Sequence, residues 1–227
     1  MTEPAQAVIF DFDGVIVDSE PAHYRAFQAV LEPLGLGYGW DRYVAHYMGF
    51  DDRDGFREAY REAGRELDAA GLEELIAAKH AAFEAEMRAG LDPIPGAVDC
   101  VRRLAAAYPL AVCSGALRGE VTPTLERLDI AEAFRVVVTA EDVARSKPDP
   151  ESYRLAVERL GESLGQPLDA HACLAIEDTP TGAASAAGAG LRVLGLAGGT
   201  DHGLDRADWV VTTLEVIGPE RVATLLA

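Results

Sequence analysis

Positive charge is scarce in this sequence of 227 residues, in which 20 Lys and Arg face 38 Asp and Glu and give a formal net charge of −18. Such an excess of negative charge repels nucleic acids and anionic membranes, so we expect neither as a partner. Long apolar runs are also missing, and none approaches the roughly 20 residues that a membrane-spanning helix needs. We therefore expect a soluble, monomeric globular protein whose partner is a small molecule.

Cysteine is the second scarce component. Its three copies, Cys100, Cys113 and Cys173, form an odd and widely spaced set, and two of them lie inside apolar, strand-like runs. This pattern favours reduced packing residues over a framework of disulfides, as is typical of cytoplasmic proteins. The first residues also lack the basic region and the apolar stretch of a secretory signal, so we expect a cytoplasmic location.

The most informative segment runs from Val8 to Glu20 and reads V-I-F-D-F-D-G-V-I-V-D-S-E. Its first two carboxylates, Asp11 and Asp13, are two residues apart, so they share a face for as long as a strand persists. Two like charges at that spacing repel each other unless a cation lies between them. An Asx turn at Asp13-Gly14 would explain one aspartate but not two. The segment therefore indicates a divalent metal and a carboxylate with a chemical task.

Apolar, strand-like runs alternate with helical stripes over most of the chain. This alternation predicts an α/β fold of three layers, with a doubly wound, mainly parallel sheet covered by helices on both faces. Between about residues 20 and 90 the strand-like pattern stops and only helical stripes remain. We therefore predict a core domain formed by residues 1–17 and 92–227, into which residues 18–91 are inserted as an all-helical domain.

Polar groups follow the predicted strands at their carboxyl ends, which meet at one edge of a parallel sheet. They are Asp11, Asp13, Ser114, Lys147, Glu177 and Asp178. Taken singly, each has a structural explanation: Ser114-Gly115 suits a strand-to-helix turn, Lys147 suits a solvated loop, and Glu177-Asp178 suits the start of a helix. Their joint occurrence, in this order on a doubly wound pattern, is what indicates a functional site.

Residues 11–20, which read D-F-D-G-V-I-V-D-S-E, resemble the first motif (D-x-D-G-x-x-x-D-[ST]-E) of the haloacid dehalogenase superfamily, in its beta-phosphoglucomutase-like branch. The resemblance covers nearly the whole chain. The four motifs of the superfamily are matched by Asp11, Asp13, Ser114, Lys147 and Asp178. The resemblance implies phosphoryl transfer through an aspartyl-phosphate, and it implies that residues 18–91 form a helical cap that closes over the site.

The chemistry of phosphoryl transfer gives each group a role. Asp11 is the expected nucleophile, and Asp13 is expected to protonate the leaving oxygen and then to activate water. The Ser114 hydroxyl and the Gly115 N–H would hold phosphate oxygens, while Lys147 would pair with phosphate and with Asp11. Because hard oxygen ligands select Mg²⁺, we expect this ion in the site. Its expected ligands are a carboxylate oxygen of Asp11, the backbone carbonyl of Asp13 and the carboxylate of Asp178, with Glu177 just outside them.

Side chains of the inserted segment are candidates for binding the rest of the substrate. Lys79 lies on an apolar helical stripe, an unusual place for a charge unless it faces a cleft; a lysine whose stem covers apolar surface is the alternative. Arg53 resembles the cap arginine that binds a distal phosphate in the beta-phosphoglucomutases. His23 matches a histidine of the same branch, although a histidine on a helix surface fits the pattern as well. Gly115 and Glu177 complete the predicted substrate-binding set.

The second motif bears on the choice of reaction. Beta-phosphoglucomutases carry a serine and a lysine shortly after the phosphate-binding serine, whereas residues 114–118 read S-G-A-L-R. A mutase binds a bisphosphate in two orientations, so the loss of two polar groups favours a Mg²⁺-dependent phosphatase of a small phosphorylated metabolite, such as a sugar phosphate or a phosphoglycolate-like compound. A sugar phosphate mutase is the alternative.

Other classes of protein fit the sequence less well. Asp13 and Asp178 argue against a dehalogenase, since that class lacks the second aspartate and needs no metal. A phosphonatase would need a cap lysine close to the first motif, where none is obvious. A non-catalytic phosphate-binding protein is disfavoured because no catalytic position is lost.

Overall fold

The computed structural model describes residues 5–48, 50–198 and 203–227. The chain divides into two compact units, of which one combines Met1–Asp18 with Asp92–Ala227 and the other is Ser19–Leu91. We call them the core unit and the helical unit. None of the helices in the described ranges combines the length and the apolar character needed to cross a membrane.

Parallel strands form the centre of the core unit. The strands among its described residues are β1 (Ala7–Phe10), β2 (Val17–Asp18), β3 (Asp92–Pro93), β4 (Leu110–Cys113), β5 (Phe134–Val138), β6 (Cys173–Glu177), β7 (Arg192–Leu196) and β8 (Trp209–Val211). Six of them make one sheet in the spatial order β5-β4-β1-β6-β7-β8, and every neighbouring pair is parallel. The predicted α/β fold with a parallel sheet is therefore confirmed.

Helices occupy both units. In the helical unit they are α1 (Glu20–Leu31), α2 (Trp40–Arg42), α3 (Asp52–Glu62) and α4 (Ala69–Ala89). In the core unit they are α5 (Ala97–Ala105), α6 (Arg118–Arg127), α7 (Glu151–Leu164), α8 (Pro180–Gly188) and α9 (Pro219–Leu226). Short 3₁₀ turns and one π-helical turn, Tyr43–Tyr47, complete the regular structure of the described ranges.

The strand β1 lies in the middle of the sheet because its side chains are apolar on both faces. Val8 and Phe10 point to one face and Ile9 to the other, and all three are fully buried. From β1 the chain continues to β4 and β5 on one side and then crosses to β6, β7 and β8 on the other. The strand order therefore reverses beside β1, and in open α/β sheets ligands bind at the carboxyl ends of the strands near such a reversal.

The helices α7 and α8 cover one face of this sheet. Tyr153 and Ala156 of α7 and Ala186 of α8 belong to the same buried cluster as Ile9 of β1 and Cys113 of β4. The small alanine side chains let α8 pack closely against the strands. This packing brings α7 and α8 against the strands whose carboxyl ends carry the candidate residues.

Within its described residues the helical unit contains no strand. Two aspartates begin its longer helices: Asp51 accepts the N–H of Asp54 at 2.8 Å at the start of α3, and Asp68 accepts the N–H of Gly71 at 2.8 Å at the start of α4. Each bond satisfies a backbone donor that the first helical turn leaves without a partner. The buried residues of its apolar core are Phe27, Leu31, Tyr43, Tyr47, Phe56, Ala59 and Leu72.

Candidate active site

Asp11 follows β1 directly and is bound by Lys147, which lies in the loop before α7. The Lys147 Nζ atom is 2.8 Å from Asp11 Oδ1, and it also donates to the carbonyl oxygen of Cys113 at 3.0 Å and to Glu177 Oε1 at 2.6 Å. Burial alone would lower the pKa of Lys147, but Asp11 and Glu177 outweigh that effect and raise the pKa well above its usual value. One charged ammonium therefore joins the carboxyl ends of β1, β4 and β6.

Glu177 ends β6, and its side chain is fully buried. Its Oε1 atom accepts from Lys147 and also from the hydroxyl of Tyr153, at 2.7 Å. On α8, Gly182 leaves the room that this carboxylate needs, since a Cβ atom there would lie 2.0 Å from Glu177 Oε2. Glu177 has no exposed surface and its carboxylate bonds Lys147 at 2.6 Å, and its binding of substrate stays a prediction.

Asp178 follows Glu177, and its surroundings indicate whether the carboxylates of this site fit a metal ion. Carboxylate oxygens of Asp11, Glu177 and Asp178 lie within 4.8 Å of one another. Asp178 Oδ1 is buried and has no hydrogen-bond partner among the described residues. Burial, followed by the charges of Asp11 and Glu177, raises the pKa of Asp178. An orphaned carboxylate oxygen beside two others is a donor set that suits a hard divalent cation, so the residues fit Mg²⁺.

The turn after β1 depends on Gly14. Its φ is +71°, in the left-handed region that favours glycine, and a Cβ atom there would lie 1.9 Å from Asp178 Oδ2. The Gly14 N–H donates to the carbonyl oxygen of Val17 at 2.8 Å, which closes the turn. Asp13 lies just before this turn with a half-buried side chain. Its role as acid and base stays a prediction.

Ser114 follows β4 and is held in a fixed orientation. Its N–H donates to the carbonyl oxygen of Val138, and its Oγ atom accepts the N–H of Ala116, both at 2.9 Å. Ser114 is buried, whereas Gly115 is exposed. Because Lys147 binds the carbonyl of the preceding residue, its ammonium lies close to this turn. Phosphate binding by Ser114 and Gly115 stays a prediction.

Two of the candidates in the helical unit contact each other. Lys79 is buried, and its Nζ atom donates to Asp52 Oδ1 at 2.6 Å and lies 2.9 Å from His23 Nδ1. The imidazole stacks on Phe83 with ring centres 4.1 Å apart. Burial and the charge of Lys79 lower the pKa of His23 to about 4, so it is neutral at pH 7. Arg53 differs from them because it is exposed and lines a cavity.

Tyr153 is the site residue that the sequence analysis missed. It lies on the apolar stripe of α7, where an aromatic side chain indicates packing, and it is fully buried. Its hydroxyl binds Glu177, and the centre of its ring is 5.2 Å from the Lys147 ammonium, within the range of a cation–π contact. A buried tyrosine hydroxyl usually has a hydrogen-bond partner. A tyrosine on the apolar stripe of α7 could for this reason have been recognised as a partner of a polar residue.

Asp11 bound to Lys147, beside the carboxylates of Glu177 and Asp178, forms a polar site at the strand ends of a doubly wound sheet, where ligands of this class of fold bind. The family model of the haloacid dehalogenase-like hydrolases matches residues 8–196. The chain belongs to this family, which confirms the resemblance found in the sequence.

Individual relatives agree with this assignment. The phosphorylated carbohydrates phosphatase of Thermotoga maritima is 29% identical to the chain, and the match covers 97% of this chain and 98% of that protein. Hexitol phosphatase A of Escherichia coli is 32% identical, with 92% and 91% covered. The crystal structure of a HAD family hydrolase from Deinococcus radiodurans R1, with bound phosphate and sodium, matches with a TM-score of 0.76 and 28% identity over 99% of this chain and 98% of that one.

Proposed function

We propose that this phosphoric monoester hydrolase releases phosphate from a small phosphorylated sugar or polyol, through an aspartyl-phosphate on Asp11 and with Mg²⁺ as cofactor. The observation that carries the proposal is the bonding of Lys147, whose ammonium reaches both Asp11 and the buried Glu177. The names of the two relatives, a phosphorylated carbohydrates phosphatase and a hexitol phosphatase, support a sugar or polyol as the alcohol part.

In the first step a carboxylate oxygen of Asp11 attacks phosphorus, the ester P–O bond breaks, and the leaving oxygen takes a proton from Asp13. Water then attacks the phosphorus of the aspartyl-phosphate, Asp13 accepts its proton, and free phosphate leaves as the Asp11 carboxylate is restored. Lys147, the Ser114 hydroxyl and the Gly115 N–H bind the phosphate oxygens through both steps.

Asp11, Asp178 and the backbone carbonyl of Asp13 would hold Mg²⁺. When it is bound, this ion supplies positive charge against the phosphate dianion and the acidic side chains. The buried and orphaned Oδ1 atom of Asp178 supports the assignment, because that oxygen needs a partner.

The helical unit is, in this proposal, the cap that contributes groups for binding the alcohol part of the substrate. Of its three candidate groups Arg53 is exposed, whereas Lys79 and His23 contact each other. The three cysteines are free and buried, which supports a reducing compartment such as the cytoplasm.

A panel of phosphomonoesters tests the proposal. We expect phosphate release from p-nitrophenyl phosphate and from hexose or hexitol phosphates in the presence of Mg²⁺, complete loss of the rate in EDTA, and recovery when Mg²⁺ is restored. A rate that survives the chelator would remove the metal from the mechanism. Glucose 6-phosphate formed from beta-glucose 1-phosphate plus a catalytic amount of bisphosphate, with no phosphate released, would favour the mutase instead.

Tyr153→Phe tests the positioning of Lys147 through Glu177. The ring stays and the hydroxyl donor is lost, so we expect kcat for p-nitrophenyl phosphate to fall about tenfold while KM changes less than about twofold, since a hydrogen bond to a charged buried group is worth on the order of 1.5 kcal/mol. Tyr108→Phe is the matched control, because it removes a hydroxyl bound at 3.1 Å to the carbonyl oxygen of Pro219. Equal kcat values in the two variants would contradict this role.

A further inference from the structure

The loop of residues 114–117 follows β4 and carries both predicted phosphate donors, the Ser114 hydroxyl and the Gly115 N–H. We call it the phosphate loop. Arg118 follows it as the first residue of α6, and its guanidinium donates to Asp142, beyond the carboxyl end of β5. We infer that the Asp142 carboxylate positions the phosphate loop, and that it acts through Arg118. This role rests on the proposed function, and it lies entirely within the core unit.

The backbone bonds of the phosphate loop leave one of its donors for a ligand. The N–H groups of Ser114, Ala116 and Leu117 donate to protein acceptors at 2.9, 2.9 and 2.7 Å. The N–H of Gly115 has no acceptor in the part of the chain that the structure describes, and this residue is exposed. Three N–H groups are therefore fixed by the protein, and the direction of the fourth depends on how the loop is held.

Backbone bonds to β5 hold the start of the phosphate loop, whereas Arg118 holds its end. The Arg118 N–H, which the first turn of α6 leaves without a helical partner, donates to Glu141 Oε2 at 2.8 Å. Two of its guanidinium nitrogens lie 3.3 Å from the carbonyl oxygen of Val137, and one of them also donates to Asp142 Oδ2. Because protein acceptors engage this guanidinium, it serves the loop and not the substrate.

Asp142 can orient Arg118 because its own carboxylate is held from several sides. Oδ2 accepts the N–H of Thr139 at 2.9 Å and its hydroxyl at 3.0 Å, and Oδ1 accepts from Arg159 of α7 at 2.8 Å. Burial alone would raise the pKa of Asp142, but the bonds from Arg159 and Thr139 lower it to about 2, so the carboxylate is charged at pH 7. The Asp142 side chain is 13% exposed and that of Arg118 is 45% exposed. The better-fixed carboxylate therefore sets the orientation of the more exposed arginine.

The second arginine on this carboxylate separates positioning from general stability. Arg159 donates to Asp142 from α7, and within the described residues no bond joins it to the phosphate loop or to Arg118. If Asp142 only stabilised the core unit, loss of either guanidinium would change phosphate binding equally. If Asp142 positions the loop, only the loss of Arg118 weakens phosphate binding.

The experiment measures the calorimetric Kd of inorganic phosphate with Mg²⁺ present, and kcat/KM for p-nitrophenyl phosphate with Mg²⁺. For Arg118→Gln and Asp142→Asn we expect Kd to rise about tenfold and kcat/KM to fall about tenfold, because small displacements of donors that must meet the phosphate have effects of at least this order. Arg159→Gln is the matched control, and both quantities should stay within about twofold of the wild type. Thermal unfolding of the same samples reports stability separately.

The double variant Arg118→Gln, Asp142→Asn tests whether the two residues act in series. We expect its phosphate Kd to equal that of the single variants, because either change already releases the end of the loop. A rise that multiplies the two single effects, to about 100-fold, would contradict an action of Asp142 through Arg118.

Two further outcomes would overturn the positioning role and leave the proposed function standing: a wild-type phosphate Kd in Arg118→Gln, or an equal rise of Kd in Arg159→Gln. The two arginine variants decide alone if Asp142→Asn does not fold. An absence of hydrolysis by the wild type, for p-nitrophenyl phosphate and hexose phosphates alike, would instead overturn the proposed function.

Discussion

Asp11→Asn is expected to lower kcat for phosphate release by roughly 10⁴-fold or more, as removal of a nucleophile typically does. An amide oxygen is a poor nucleophile, and the amide also removes the negative charge that Lys147 binds at 2.8 Å. The variant should fold normally. Asp11 pairs with Lys147 but also raises the pKa of Glu177 and Asp178 through like-charge repulsion, so its neutralisation removes a favourable and an unfavourable interaction together.

The measurement is steady-state release of p-nitrophenol with Mg²⁺, together with thermal unfolding of the same samples. Asp11→Ala accompanies the asparagine variant, because alanine cannot return to aspartate by deamidation. Asp99→Asn serves as the control, since Asp99 is an exposed aspartate of α5 in the same unit. A kcat for Asp11→Ala within tenfold of wild type would remove Asp11 from the role of nucleophile.

Gly14→Ala is expected to reduce kcat/KM by about 100-fold and to raise the Mg²⁺ concentration needed for half-maximal rate, because residues that orient metal ligands have effects of this size. The added methyl group would lie 1.9 Å from Asp178 Oδ2, so the carboxylate has to move from its position. Part of any effect will come from the backbone, since φ at this residue is +71° and alanine is strained there by roughly 1 kcal/mol.

Gly165→Ala separates the two causes. Gly165 has the same φ of +71°, belongs to the core unit, and a Cβ atom there would meet nothing within 4 Å. Both variants should therefore share the backbone cost, whereas only Gly14→Ala also has the contact with Asp178 and should lose activity and Mg²⁺ affinity. The same rate and Mg²⁺ requirement in both variants would show that Asp178 is not confined by Gly14.

The strands of the sheet were predictable because burial on both faces leaves a direct mark in the sequence. An apolar run such as residues 7–12 is typical of a central strand, and β1, Ala7–Phe10, lies inside this run. The ends were less predictable. The first strand stops at Phe10, so that Asp11 already lies beyond it, because hydrogen bonding and not apolarity decides where a strand ends.

Helix ends in the inserted segment show the same limit. The apolar stripe of α1 continues to Leu34, but the helix ends at Leu31 and Glu32–Leu34 forms a 3₁₀ turn that closes at Gly35, where φ is +72°. Proline at position 33 has no N–H to donate, so the α-helical bonding does not continue through it. The stripe therefore marks the face that is buried and not the length of the helix.

Contacts between distant residues could be predicted from the sequence only in part. Lys147 and Asp11 are 136 positions apart, and the motif order predicted their meeting because parallel strands share an edge. The hydroxyl of Tyr153 reaches Glu177 only because α7 packs on the sheet at one particular rotation, which periodicity does not specify. The partners of Lys79 depend in the same way on how α1, α3 and α4 pack together.

The short ribbon of β2 and β3 has a consequence for how this enzyme can change over generations. Val17 lies opposite Pro93 and Asp18 opposite Asp92, so both ends of the inserted segment are held side by side. A loop of only a few residues can join two antiparallel strands. A long insertion can replace such a loop without changing the order or the pairing of the strands in the sheet. Gene rearrangement can therefore exchange the whole insert as a module while the six-stranded sheet and the residues at its strand ends are inherited intact.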